Sequence, residues 1–308
     1  MSMRVTFLGT SGAVPTTERN PSAILVNREG DRLLFDAAEG TQRQMMRFGT
    51  GFTVSDLFVT HLHGDHVLGI PGLVQTWDFN DRDDPLTVYT PRGTGDDIDA
   101  LVHAAGNQPS FPVHITEVAP GEVAVRREEY EVRAFRTDHE TNSLGYALVE
   151  DDRKGRFDRE RAEELGVPVG PKFQQLHAGT PVELEDGTVV RPEQVVGDPR
   201  PGRRFVYTGD TRPSEQVVSV AEDADLLVHD ATFANDRVDR ARKTAHSTAE
   251  QAAEIARRAE AVRLALTHIS SRYAGDVSTH LREARDAFDG EVFVPDDGEL
   301  VEVPYPDE

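Results

Sequence analysis

The apolar run Leu57–Thr60 leads straight into His61-Leu62-His63-Gly64-Asp65-His66, and no other feature of the chain constrains its fold as tightly. Gathering three imidazoles and a carboxylate is costly unless a partner offsets their desolvation. The run reads as a strand. Residues two apart in extended chain point the same way, so His61 and His63 leave the strand end side by side. Asp65 and His66 follow one turn later, at the entry to a helical stretch. Imidazole and carboxylate without thiolate suit zinc, iron or manganese. The alternative is a set of exposed or helix-capping histidines, which suits a lone histidine better than HxHxDH behind a strand.

A metal cage needs further donors, and α/β proteins gather functional groups where strand ends meet along one sheet edge. The sequence offers His139 in FRTDHETNSLGY, Asp210 in FVYTGDTR and His268 in LALTHIS, the last two closing apolar runs directly. Strand-like runs recur at Arg4–Leu8, Ala23–Val26, Leu33–Asp36, Leu86–Thr90, Val113–Val118, Ser143–Val149, Phe205–Thr208, Asp225–His229, Leu264–Thr267 and Glu291–Pro295. A hairpin-like stretch covers Glu122–Phe135. Helical patterns occupy Thr41–Phe48, Asp96–Ala105 and Ser247–Ala261. The last opens on S-T-A-E, Ser247 with Glu250 three residues on, a capping-box pattern. Strands alternating with helices imply a layered α/β protein. Residues 151–202 break this rhythm: they are polar and rich in Gly and Pro, and read as an insertion projecting from the core.

The ordered set HLHGDH, a distant histidine, TGDTR and THIS resembles the metallo-β-lactamase superfamily. FLGTSGAVPTTERNPSAILV, the DHE stretch, HDAT and HST resemble its short-form ribonuclease Z (tRNase Z) branch over nearly the whole chain. The resemblance implies an αββα sandwich, residues 1–150 and 203–308 forming the catalytic domain and 151–202 a protruding tRNA-binding exosite arm. It implies two zinc ions (Zn2+) per chain, one held by His61, His63 and His139, the other by Asp65, His66 and His268, with Asp210 bridging. The implied reaction is removal of the 3′ trailer from precursor tRNA, leaving a tRNA 3′-hydroxyl; the implied assembly is a homodimer. His246 in HST matches the family's proton donor to the leaving oxygen. Asp230 in HDAT stands where the family has glutamate, one methylene longer. Gly170 and Pro171 match the arm's Gly-Pro motif. Another hydrolase on the same scaffold, acting on small phosphodiesters or thioesters, accounts for the ligands but not for the insertion or HST.

Asp65, beside the metals, is placed to ligate and also to accept a proton from water. Glu39 in FDAAEG either orients a ligand histidine or charges a helix N-terminus. Arg92, and the cluster of Arg237, Arg240, Arg242 and Lys243 before His246, are candidates for phosphate contacts. The basic residues Arg153, Lys154, Arg156, Arg159 and Arg161 in the arm are interleaved with acids, which also suits a solvated helix.

RNA binding normally shows a basic footprint, yet this chain has 55 acidic and 33 basic residues, net −22. The charge is spread along the sequence and only Lys154, Lys172 and Lys243 are lysines, a composition that resembles proteins of salt-loving archaea, where acidity serves solubility. In high salt the counterion-release contribution to RNA binding weakens, and arginine forks carry more of it. The chain has no cysteine, which excludes disulfides and thiolate metal sites. The N-terminus lacks a signal-peptide pattern, and no apolar segment approaches the roughly 18 residues of a membrane span. A cytoplasmic enzyme is the expectation.

Overall fold

A computed structural model describing residues 2–307 gathers the strands into two seven-stranded sheets and two small pairs. The chain divides into two compact units. One comprises the chain up to Val149 together with Arg203–Pro304; the other is Glu150–Gly202 with the chain end from Tyr305.

In the first unit, one sheet runs in spatial order Leu300–Val303, Met3–Gly9, Ala23–Arg28, Asp31–Phe35, Asp56–Phe58, Leu86–Pro91 and Val113–Val118. Its first four strands pair antiparallel, and pairing is parallel from Asp31–Phe35 onward. The other runs Glu291–Phe293, Arg263–Thr267, Leu226–Asp230, Arg204–Tyr207, Leu144–Glu150, Tyr130–Arg136 and Val123–Arg126. Its first four strands pair parallel, and Arg204–Tyr207 meets Leu144–Glu150 antiparallel.

Side-chain alternation explains the layering. Met3, Val5, Phe7, Leu33, Phe35 and Phe58 point inward onto Leu144, Tyr146, Phe205, Tyr207 and Val228 of the facing sheet. Leu8, Leu25, Leu34 and Leu57 point outward, where Ile70, Leu73, Val74 and Trp77 of the helix Ile70–Phe79 pack on them. Helices Ala249–Arg258 and Ser278–Ala287 cover the outer face of the second sheet. Sheets buried on both faces read as near-continuous apolar runs, which is why these strands were legible. The unit is an αββα sandwich.

Aromatic packing stiffens the centre: the Phe35 and Phe58 rings stack at 4.9 Å, as do those of Phe58 and Tyr89. Two tyrosine hydroxyls tie the sheets together near the ends of their strands. Tyr146 donates to the Val59 carbonyl at 2.8 Å and Tyr207 to Asp36 at 2.9 Å.

Several details differ from the sequence reading. Ile70–Phe79, Glu215–Val220, Val238–Lys243 and Ser278–Ala287 are helices that it did not delimit. The cap of Ala249–Arg258 is Thr248, paired reciprocally with Gln251. Ser247 is buried and spends its hydroxyl on the Thr211 carbonyl, so it cannot cap.

The second unit has its own small core. Helices Arg159–Glu164 and Pro171–His177 and the paired strands Val182–Glu183 and Val189–Val190 bury Ala162, Val167, Leu176, Val182, Val190 and Val195. Asp307 accepts from Arg153 and Arg200, and the Arg153 guanidinium lies 3.4 Å from the Tyr305 ring centroid. These contacts put the chain end from Tyr305 in this unit, whereas the sequence reading assigned it to the catalytic domain. Arg159 and Arg161 pair with Glu163 and Glu164 on the same exposed helix, as a solvated helix requires.

Candidate metal centre

Parallel strands of both sheets deliver their C-terminal ends to one edge of the first unit. His61 follows Asp56–Phe58 in extended chain, and His63 is the extended N-cap of the short helix Gly64–Val67, which carries Asp65 and His66. Asp210 follows Arg204–Tyr207, Asp230 ends Leu226–Asp230, and His268 follows Arg263–Thr267. The approach is tight enough that a Cβ on Gly12 would stand 2.5 Å from Nδ1 of His268.

The seven expected donors fall into two adjacent groups. His61, His63, His139 and Asp210 each place a ligand atom within 4.8 Å of the others, as do Asp65, His66 and His268. His61 Nε2 lies 3.0 Å from His63 Nδ1, and His139 Nε2 lies 3.3 Å from that atom. Asp210 faces both groups. Its Oδ2 is 3.6 Å from His61 Nε2 and 3.7 Å from His139 Nε2; its Oδ1 is 3.3 Å from His66 Nε2 and 3.2 Å from His268 Nε2. Asp65 Oδ2 closes the second group, 3.2 Å from His268 Nε2.

These donors fit a first-row metal ion such as zinc. Ligands about 2.0–2.1 Å from a tetrahedral ion stand about 3.3 Å from each other, close to the spacings here. Among the described residues, His66 Nε2 and Asp210 Oδ1 are buried with no hydrogen-bond partner, a costly state that a cation between them relieves.

On four of the five histidines the ring nitrogen turned away from the cluster has a partner. His139 Nδ1 meets the Ala245 carbonyl at 2.9 Å, His61 Nδ1 the Thr60 hydroxyl at 3.0 Å, His268 Nδ1 the Thr232 hydroxyl at 2.8 Å and His66 Nδ1 the Asp36 carboxylate at 2.7 Å. Such partners fix ring orientation and tautomer. Asp36 is the residue that the sequence reading missed. It is fully buried and accepts from Thr60 N, Thr60 Oγ1 and Tyr207 as well as His66. Glu39 is exposed, so the orienting carboxylate is Asp36 instead. The one available signal was an aspartate closing the apolar strand LLF.

Electrostatics differ between neighbours. Burial, then the charge of His66, holds His61 well below the usual imidazole range, which favours its neutral, ligating form. Burial opposes charge on His66 too, but Asp210 and Asp36 outweigh it and push this imidazole up. Burial opposes ionisation of Asp65 and Asp210, yet the neighbouring histidines hold both carboxyls below their ordinary range.

Beside the cluster, His246 Nδ1 lies 2.7 Å from Asp230 Oδ2, so the shorter side chain of aspartate reaches its partner. Against the effect of burial, Asp230 raises the His246 imidazole to about 9. Its ring stacks on His268 with centroids 5.0 Å apart. The expected substrate contacts are not in this cluster. Arg92 is exposed and pairs with Glu122. Arg242 and Lys243 lie exposed on the helix Val238–Lys243. Gly170, at φ 145°, and Pro171 open the helix Pro171–His177 in the second unit.

Two family models match parts of the chain: one described as anti-Pycsar protein Apyc1 over residues 3–154, and the β-lactamase superfamily domain over residues 194–269. The ribonuclease Z of Natronomonas pharaonis is 70% identical over 308 residues, covering 100% of both chains. That of Haloferax volcanii is 69% identical over 307 residues, covering 100% of this chain and 97% of its own. Among solved structures, the short form of human tRNase Z superposes with a TM-score of 0.71 at 26% identity, covering 98% of this chain and 99% of that one. YhfI of Bacillus subtilis, described as a metallo-β-lactamase fold protein, gives 0.71 at 18% identity, covering 98% and 100%, a likeness of fold alone.

Proposed function

Because the chain belongs to the ribonuclease Z family, we propose that it is a zinc-dependent endoribonuclease that cuts the 3′ trailer from precursor tRNA and leaves a 3′-hydroxyl on the tRNA. The observation that carries the chemistry is Asp210, whose two oxygens face two separate donor groups. His61, His63 and His139 would hold one zinc, Asp65, His66 and His268 the other, with Asp210 shared. Bound zinc supplies Lewis acidity toward water and phosphoryl oxygens.

The protein's own groups then divide the proton work. Asp65, kept ionised by His268 and His66, takes the proton of the attacking water. His246, raised to about 9, is protonated near neutral pH and gives its proton to the leaving 3′ oxygen. Asp230 holds that ring and favours its charged form.

Residues 151–202 serve as a capture arm through Gly170 and Pro171, and Arg92, Arg242 and Lys243 meet phosphates. Binding energy from such remote contacts positions a large substrate whose reacting group is small. A homodimer is the proposed assembly, on the family membership alone. With precursor tRNA as substrate, the activity belongs in the cytoplasm. Among the described residues, no helix is long and apolar enough to cross a membrane.

Parallel assays on precursor tRNA and on a small chromogenic phosphodiester test the reading. Efficient cleavage of the precursor supports it; turnover of the small diester alone identifies a general phosphodiesterase on this fold.

A further inference from the structure

The geometry points to Thr232 as a positioning residue that couples one ligand histidine to the His246–Asp230 pair. Thr232 Oγ1 donates to Asp230 Oδ1 at 2.6 Å and lies 2.8 Å from His268 Nδ1. A hydroxyl has one proton and a carboxylate only accepts. With that proton committed to Asp230, Thr232 can offer His268 only a lone pair. His268 must therefore carry its proton on Nδ1, which leaves the Nε2 lone pair facing Asp65 and Asp210, each 3.2 Å away.

The other end of the chain of contacts is the proton donor. Asp230 accepts from Thr232 on Oδ1, through both the hydroxyl and the backbone N–H at 2.9 Å. On Oδ2 it accepts from His246 Nδ1, and from the backbone N–H of Thr211, the neighbour of Asp210, at 3.1 Å. The carboxylate is thus saturated, and its orientation toward His246 depends on what Thr232 supplies. His246, Asp230, Thr232 and His268 form one unbroken series, which joins the leaving-group side of the site to the second donor group.

The first donor group contains an internal control. Thr60 Oγ1 donates to Asp36 at 2.9 Å and meets His61 Nδ1 at 3.0 Å, the same Asp–Thr–His arrangement by the same proton count. Among the described residues this second relay makes no hydrogen bond to His246, although its Asp36 also holds His66 of the second donor group. Loss of either threonine hydroxyl should weaken metal retention, but only loss at Thr232 should disturb His246. The proton-donor role of His246 rests on the function proposed above. The ring contacts do not, so the test is built on metal binding and spectroscopy.

Chelator competition on the zinc-loaded full chain and 15N-resolved imidazole NMR on the full chain with and without zinc judge the proposal. Metal-free wild-type protein, in which no ion dictates the tautomer, should already show His268 protonated on Nδ1. Thr232→Val should lower zinc retention about 10–100-fold, the usual effect of losing a partner behind a ligand. It should also shift the His246 ring resonances. Thr232→Ser should restore both, and Thr60→Val should lower zinc retention without moving His246. The proposal is overturned if His268 of the metal-free wild-type protein carries its proton on Nε2. It is overturned equally if Thr232→Val melts earlier yet keeps wild-type zinc retention and His246 resonances. The tautomer in metal-free wild-type protein decides the matter should the valine variant fail to fold.

Discussion

Replacing Asp36 with asparagine exchanges one oxygen for an NH2 group at almost constant volume. Asp36 receives four donors: Thr60 N, Thr60 Oγ1, His66 Nδ1 and the Tyr207 hydroxyl. Asparagine has a single acceptor oxygen. If that oxygen stays on Thr60, the NH2 group confronts His66 Nδ1, and the ring must move its proton to Nε2. That atom lies 3.3 Å from Asp210 Oδ1 and is the one needed for ligation. If the amide flips, the NH2 group confronts the Thr60 N–H, 2.8 Å away in the native protein. Either way a buried donor loses its acceptor, at about 1–3 kcal/mol. Zinc retention should fall about 10–100-fold, equivalent to about 1.4–2.7 kcal/mol. Chelator titration followed by metal analysis reads the loss of zinc retention, and thermal unfolding of metal-free protein reads the loss of stability. Zinc affinity within twofold of wild type in a folded Asp36→Asn protein would refute the orienting role of Asp36.

His246→Ala should slow single-turnover cleavage of precursor tRNA about 10²–10⁴-fold with zinc content unchanged; an unaltered rate removes His246 from the chemistry. Burial pushes the His280 imidazole down to about 4 from an ordinary 6.5. The unfolded chain takes up that proton first, so this contribution to stability is complete above about pH 6.5 and is lost as pH falls toward 4, by at most about 3 kcal/mol. Urea unfolding at neutral and mildly acidic pH should show the loss, and His280→Gln should reduce it; an identical pH dependence in the variant removes His280 as the cause. At net −22, carboxylate repulsion should make the protein melt at higher temperature as KCl rises toward molar levels; equal melting temperatures in dilute buffer and molar KCl count against the halophilic reading. Replacing residues 151–202 with a Gly/Ser linker should spare two bound metals and small-diester hydrolysis while cutting tRNA cleavage by orders of magnitude. A proportional loss of both activities would make the segment a support for the fold.

The centre was legible where the sequence is local. His61, His63, Asp65 and His66 lie on one strand end and one turn, so their spacing alone gathers them. His139, Asp210 and His268 are remote in sequence, and it was their order, through the family resemblance, that assembled them. Asp36 and Glu39 show where such reading stops. Both are carboxylates within FDAAEG, and spacing does not say which one turns inward. Asp36 sits at a positive φ of 57° just past its strand and is driven beneath the cluster, whereas Glu39 stands in solvent before a helix. The Ser247–Thr248 cap failed for a related reason: a tertiary contact claimed the first hydroxyl. Strands packed on both faces announced themselves as apolar runs, but Ser278–Ala287 fully buries only His280 and Ala284 and leaves a weak pattern. In the second unit the strands are two residues long. Their stability comes from contacts among Ala162, Leu176 and Val190 that no short window of sequence contains.

The most direct test is cleavage of a precursor tRNA labelled at its 5′ end, in molar KCl with zinc, with the ends of both products mapped. The account predicts one cut where the trailer begins, a 3′-hydroxyl on the tRNA and a 5′-phosphate on the trailer. The cut should be lost in His63→Ala and Asp210→Ala. An intact precursor beside active small-diester hydrolysis would contradict the account. So would a 2′,3′-cyclic phosphate on the tRNA, because that end arises from attack by the ribose hydroxyl and not by water.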